Sequence, residues 1–243
     1  FVEAGLLRRA GWSVRFKAVA GSFEESPATL VDYVVRDRRW CQGNLQHLRL
    51  LHTRGLHPLS RFHLFFGAIS YLMSPAWLIL LTVWAVLGVT EIVPQSYFSD
   101  HNPLYPVWPD LTQTQGYAVL AFMYAMLLLP KLTAAGMIAA TPGARRRYGG
   151  GWPFFCAVAV EVVVSILYAP ILMVQQSLAV ARGLAGRSAQ WSPQARSATR
   201  ISLRDLMRFH WVETCLGLGL GAGIVTGLFS LWLLPIGISL ILA

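Results

Sequence analysis

The chain has 243 residues, of which 55% are hydrophobic and only 13% charged, and its mean hydropathy is +0.52. Soluble domains carry nearer a quarter charged residues, so this composition excludes an ordinary soluble domain and points to a membrane. The net charge of +9 would suit a nucleic-acid binder, but the arginines sit in short stretches beside apolar runs. Positive-inside topology explains that placement, and no nucleic-acid partner is expected.

Residues 1–63 hold 10 of the 20 lysines and arginines, whereas residues 64–89 hold no charge, so a charged front piece joins an apolar part. Phe1–Ala10 reads as a short helix. The alternation over Ser13–Val19 predicts a strand, Gly21 and Ser22 make a turn, and Pro27 can open a helix. From Thr29 to about Arg54, Leu30, Val34, Leu45, Leu48 and Leu51 recur at roughly helical spacing. This stretch contains the run Arg36-Asp37-Arg38-Arg39-Trp40, in which Arg36, Arg39 and Trp40 stand at i, i+3 and i+4 and share a helix face. Guanidinium groups suit phosphate oxygens, and an indole stacks on the apolar face of a sugar ring. The same run also fits a membrane-surface helix, with arginines at anionic lipid and the tryptophan at headgroup level. In that reading Arg39 pairs with Asp37 or Asp32.

Gly55 and Pro58 interrupt the pattern, and Pro58–His63 reads as an interfacial segment feeding a first span at 64–89. Those 26 uncharged residues suffice to cross ~30 Å of hydrocarbon, with a kink predicted at Pro75. Residues 90–116 carry acids and prolines but no lysine or arginine, so this loop belongs on the trans side. Residues 117–140 form a second span, interrupted at Pro130-Lys131, and Arg145–Arg147 mark a cytoplasmic return. Residues 153–181 are long enough to cross. A crossing, however, would put six arginines between Arg182 and Arg208 outside, and Glu161, Pro170, Gln175 and Gln176 break the apolar run. That segment is therefore expected to lie along the interface or to dip in and return, followed by a cytoplasmic basic loop at 182–211. A third span is predicted at 212–231, and a truncated one begins at 232. Glycines four apart between Gly217 and Gly227 predict the close approach of another helix rather than a dinucleotide loop, since no strand precedes them.

Cys41, Cys156 and Cys215 are far apart and read as structural thiols, and His47, His52, His57 and His63 scatter around a helix, so no metal site is expected. The chain starts at Phe1 and stops inside an apolar run, which leads us to expect a piece of a longer protein.

The order of these parts resembles the processive family 2 glycosyltransferases, the group of cellulose and hyaluronan synthases. Their (Q/R)-x-x-R-W hallmark is matched by Arg36, Arg39 and Trp40 and extended through Gln42, Gly43, Asn44, Leu45 and Gln46. Within that group the chain is similar to the glucans biosynthesis glucosyltransferase H family. The words that carry this are Phe1-Val2-Glu3-Ala4, Arg8-Arg9-Ala10-Gly11-Trp12, Gly21-Ser22-Phe23-Glu24-Glu25 and Gly55-Leu56-His57-Pro58. Further along come Pro106-Val107-Trp108-Pro109, Leu129-Pro130-Lys131-Leu132 and Trp191-Ser192-Pro193-Gln194.

The resemblance implies a mainly α, polytopic membrane protein with the C-terminal remnant of a cytoplasmic GT-A-type α/β domain at 1–57 and a membrane domain at 58–243. It implies transfer of glucose from UDP-glucose to a linear β-1,2-glucan at a bacterial inner membrane, with residues 1–63 and 182–211 cytoplasmic. The catalytic base is expected just before Phe1, and the UDP and divalent-metal (Mg2+ or Mn2+) ligands further upstream. Carried over, Trp40 stacks under the acceptor sugar and Arg36 and Arg39 face the diphosphate. Trp191, Gln194 and Arg196 stand in the place of a gating loop, although the usual F-x-V-T-x-K wording is missing. Tyr71, Trp77 and Trp84 are candidates to line a glucan channel. Implied partners are UDP-glucose, a β-glucan acceptor, the phospholipid membrane, a periplasmic glucan-modifying protein and acyl carrier protein. A different family 2 polysaccharide synthase, or a transporter or channel subunit with a cytoplasmic cap, are the competing readings.

Overall fold

The computed structural model describes residues 2–15, 17, 19, 21, 23–90, 98–99, 102–106, 113–141, 143–187, 200–229 and 231–243. The described chain is mainly helical. Its helices are α1 (Val2–Arg9), α2 (Leu30–His47), α3 (Pro58–Thr90), α4 (Gln113–Ala140), α5 (Ala144–Arg147), α6 (Gly151–Leu184), α7 (Leu203–Phe209), α8 (Trp211–Val225) and α9 (Leu234–Ile241). The chain divides into two compact units, one made of Phe1–Thr90 with Leu167–Ala243 and the other of Glu91–Ile166.

In the first unit, α2 starts where Thr29, in extended conformation, turns its hydroxyl oxygen to the Asp32 N–H at 3.1 Å and donates to the Asp32 carboxylate at 2.7 Å. A cap of this kind stabilises a helix by about 1 kcal/mol and fixes its phase. The predicted helix to Arg54 ends earlier, at His47, followed by a 3-10 turn over Leu48–Leu50. The predicted strand at Ser13–Val19 does not appear: residues 13–15 carry no regular structure, and Phe16 and Ala18 lie outside the described residues. Alternation predicts a strand only where a second strand supplies the ladder, and no strand is described in this unit.

Helix α3 absorbs both the interfacial segment and the first predicted span, and runs through Pro75 without a break. Helix α6 is likewise unbroken across Pro170, about 51 Å long at 1.5 Å per residue. A segment that dips in and returns needs a turn, and α6 contains none. Among the described residues, Pro58–Val83 and Gly151–Leu184 are long and apolar enough to cross a membrane, with mean hydropathy 1.8 and 2.3. Little of either helix is buried, unlike the core helix of a soluble protein.

The predicted span at 212–231 is shorter than expected. Helix α8 stops at Val225, where Gly227 takes a positive φ of 74°. There the Leu228 N–H reaches the Gly223 carbonyl at 2.8 Å and the Gly227 N–H reaches that of Ile224 at 3.1 Å, closing the helix end. The chain then folds back into α9, which packs on α8. The glycine spacing serves this contact in part. A Cβ on Gly217 would lie 2.8 Å from the Ile241 backbone nitrogen and 3.0 Å from the Gly237 oxygen, and one on Gly223 would meet the Phe229 ring. Gly219 and Gly221 face open space. Ile171 and Val174 of α6 and Leu240 of α9 form a buried cluster beside Val212 and Leu220.

The second unit holds α4, α5, the first part of α6 and a short antiparallel ladder of β1 (Phe98–Ser99) and β2 (Asn102–Pro106). Pro130 lies inside α4 without ending it. One residue on, Lys131 Nζ meets Glu161 Oε1 of α6 at 2.7 Å, so the charges that break two apolar runs neutralise each other.

Candidate functional site

Helix α2 carries the candidate site, and its cap phases three strips of side chains. On the first strip, Arg36 places its guanidinium 5.2 Å from the centroid of the Trp40 ring and 5.8 Å from that of Tyr33. Trp40 is 55% exposed. The Arg36 side chain is mostly covered and bonds Glu24 Oε1 at 3.3 Å. The arginine is thus held over one aromatic face by a cation–π contact, a geometry worth roughly 0.5–1 kcal/mol at an exposed position. Arg39 is half-buried on the same helix.

A second strip docks α2 onto α3 and α6. The Asp37 carboxylate accepts a hydrogen bond from Tyr71 Oη of α3 at 2.8 Å and another from Gln176 Nε2 of α6 at 3.0 Å. One turn on, Cys41 is fully buried against Ala179 and Val180, with Leu45, Tyr71 and Leu72 around them. Burial, and then the Asp37 charge, push the Cys41 thiol up from 9.0 to about 12, which makes it an inert packing group. Asn44 bonds the Trp40 carbonyl at 2.9 Å and sits on Gly67 of α3, where a Cβ would run into its side-chain oxygen. Leu45 sits on Gly183 of α6, where a Cβ would lie 2.9 Å from its methyl. Cys41, Asn44 and Leu45, after the R-x-x-R-W run, are therefore docking residues, and Asn44 and Leu45 each meet a glycine.

Arg38 forms the third strip. Its Nη2 donates to Gln175 Oε1 at 2.5 Å, and its guanidinium lies 4.6 Å from the centroid of the Phe209 ring. Gln175 Nε2 in turn donates to Glu213 Oε1 of α8, which also faces His210 Nδ1 at 3.3 Å. Gln175, His210 and Glu213 are all buried. Burial, and then the Arg182 charge, lower Arg38 from its ordinary value, while the Glu213 charge opposes them.

Of the sequence candidates, the structure brings Arg36 and Trp40 into contact. Tyr71 is half-buried and spent on Asp37. Trp77 is 45% exposed and, six residues on, points about 120° away around α3. The side chain of Trp84 lies outside the described residues, as do Trp191, Gln194 and Arg196. The sequence alone does not single out Asp37, Arg38, Gln175, Gln176 and Glu213 as site residues. Their one signal was polarity inside or beside apolar runs.

Among the described residues no three His, Cys, Asp or Glu side chains converge to hold a metal ion. The described residues do not fit the divalent cation that the resemblance implies.

Residues 4–140, more than half of the chain, match the model of the family described as glycosyl transferase family group 2. The chain belongs to glycosyl transferase family group 2. Within this group it is 41% identical over 247 residues to a protein of Rhodopseudomonas palustris, covering 100% of this chain and 34% of the relative. It is 37% identical over 244 residues to one of Vibrio cholerae, covering 99% and 34%. A Shewanella relative is 40% identical over 247 residues, covering 100% and 34%. All three relatives are named glucans biosynthesis glucosyltransferase H. The chain spans about a third of their length. No solved structure matches this family group 2 chain.

Proposed function

We propose that this chain is the acceptor-side and membrane portion of an inner-membrane processive glucosyltransferase. The whole enzyme transfers glucose from UDP-glucose to a growing linear β-1,2-glucan for periplasmic glucan synthesis and export. The observation that carries this reading is similarity along 99–100% of the chain to relatives named for glucan biosynthesis.

In the proposed site the exposed indole of Trp40 stacks beneath the acceptor sugar, since an aromatic face complements the C–H face of a pyranose. Arg36 and Arg39 stabilise the negative charge that grows on the departing diphosphate. Forming a β linkage from an α-linked donor in one displacement inverts the anomeric carbon and needs a base for the acceptor hydroxyl. Neither that base nor the donor site is assigned to residues of this chain.

Residues 1–57 then end the cytoplasmic catalytic domain and residues 58–243 form the membrane domain, with α3 and α4 as spans. Two facts support laying α6 along the cytoplasmic interface. Arg145–Arg147 precede it, and its last turns pack on α2, so both ends are tied to the cytoplasmic side of an unbroken helix. Residues 182–211, with Trp191, Gln194 and Arg196, are then a cytoplasmic gating loop.

The test uses inverted membrane vesicles bearing the full-length protein and radiolabelled UDP-glucose, with UDP-galactose and UDP-N-acetylglucosamine as controls. We expect incorporation from UDP-glucose alone into a polymer whose linkage analysis gives 2-substituted glucose. A different sugar, a different linkage, or no polymer overturns the proposal.

A further inference from the structure

Two adjacent residues of α2 carry opposite charges, and two adjacent glutamines of α6 meet them. Asp37 and Arg38 point to different neighbours, yet each takes one end of one amide: Gln176 Nε2 bonds Asp37 Oδ2 at 3.0 Å, and Gln175 Oε1 bonds Arg38 Nη2 at 2.5 Å. A carboxylate only accepts and a guanidinium only donates, so the two charges set the two amides in opposite orientations. The far ends are then fixed as well. Gln176 presents its oxygen to Ser74 Oγ of α3 at 2.5 Å, and Gln175 presents its Nε2 to the buried carboxylate of Glu213 on α8. Each glutamine therefore relays a charge on α2 to a different membrane helix.

The arrangement costs more than a docking contact needs. Burying Glu213 at 0% exposure beside Gln175 at 2% leaves the Glu213 Oε2 and Arg38 Nε without hydrogen-bond partners. Apolar side chains of similar volume would hold the helices together at no such penalty. What a polar network adds is register: an apolar face tolerates rotation and sliding, whereas four directed bonds from two consecutive residues fix both. Asp37 and Arg38 lie between Arg36 and Trp40 in the chain, so fixing them fixes the direction of the Arg36–Trp40 pair.

We propose that Gln175, Gln176 and Glu213 are positioning residues that hold α2 in the register required for acceptor binding. This inference rests on the proposed acceptor role of Trp40, and its test has one arm that does not depend on that role. The full-length protein is prepared with Cys156 and Cys215 replaced by serine, so that the maleimide labelling rate of the buried Cys41 reports local undocking of α2. Five versions are compared: the parent, Gln175→Leu, Gln176→Leu, Glu213→Leu, and the double variant Gln175→Glu with Glu213→Gln. The double variant keeps the Arg38–175 and 175–213 bonds, the second with donor and acceptor exchanged, and moves the carboxylate one step closer to Arg38.

Hydrogen bonds to charged groups of this kind correspond to roughly a tenfold loss or more when broken. We expect each single variant to gain on the order of tenfold in the rate at which a maleimide labels Cys41. Glucosyl transfer from UDP-glucose falls by the same factor, with the KM for UDP-glucose within about twofold of the parent's. The double variant is expected to bring both within about twofold of the parent. Unchanged labelling in the single variants, or no recovery in the double variant, overturns the positioning role. If the parent makes no glucan from UDP-glucose, the acceptor reading fails, while the labelling arm still decides whether the glutamines hold α2 in place.

Discussion

Replacing Asp37 by alanine separates a helix that is bonded in place from one that merely rests on its neighbours. In the structure the carboxylate accepts from Tyr71 Oη at 2.8 Å and from Gln176 Nε2 at 3.0 Å, in a part-buried setting. Asp37→Ala strands both donors, at about 1–2 kcal/mol each, for a total of roughly 2–4 kcal/mol against docking of α2. Asp37→Asn behaves differently. Its oxygen can still serve Tyr71, and its amide can bond Gln176 if that side chain flips and donates to Ser74, so the loss is about 1 kcal/mol. The reporter is Cys41, fully buried one turn away on the same face of α2. If local undocking controls its reaction with a maleimide, the labelling rate rises roughly 30- to 700-fold in the alanine variant and about fivefold in the asparagine variant. Equal labelling of the parent and Asp37→Ala would show that these bonds do not hold α2, and would refute the reasoning.

Gly217→Ala places a methyl 2.8 Å from the Ile241 backbone nitrogen, which cannot yield as a side chain could. Overpacking of about 1–3 kcal/mol outweighs a helix-propensity gain of about 1 kcal/mol, so thermal unfolding in detergent should begin at lower temperature; a rise would contradict the tight α8–α9 contact. Cys41 sets a pH dependence of definite sign. Its folded thiol titrates near 12 against an ordinary 9.0, so the unfolded chain loses its proton first and stability falls as pH rises from about 9 towards 12. Cys41→Ala should flatten that decline, and a parent and variant with parallel pH profiles would argue against a buried thiol. A cysteine placed at Ser197 in the full-length protein should resist an impermeant reagent added outside cells; labelling there would remove the interfacial assignment of α6.

The parts of this fold that were legible in the sequence are those set by near neighbours. Arg36 and Trp40 are four residues apart, so helical geometry alone brings them together, and the capped start at Thr29 gives α2 its phase. The long apolar runs fixed α3, α4 and α6 for the same reason. Bonds that span 137 and 139 residues, Arg38 to Gln175 and Asp37 to Gln176, leave no local trace. In sequence Asp37 read only as a counter-ion for Arg39, and Gln175 and Gln176 only as interruptions of an apolar stretch. The C-terminal end of α8 was not legible in the sequence. Gly227 is one of several glycines in that run, and only its positive φ, with Phe229 packing on Gly223, distinguishes a helix end from a helix contact. The bond from the Tyr71 hydroxyl to Asp37, 34 residues away, is equally absent from any local pattern.

Trp40 is where the proposed acceptor site can be tested most directly. In membranes containing the full-length protein, Trp40→Ala should abolish incorporation of glucose from UDP-glucose into glucan while protein level and Cys41 protection stay at the parent's values. Trp40→Phe, which keeps an aromatic face, should retain measurable synthesis. Undiminished synthesis by Trp40→Ala would contradict the acceptor role, because the exposed indole would then have no part in holding the glucan.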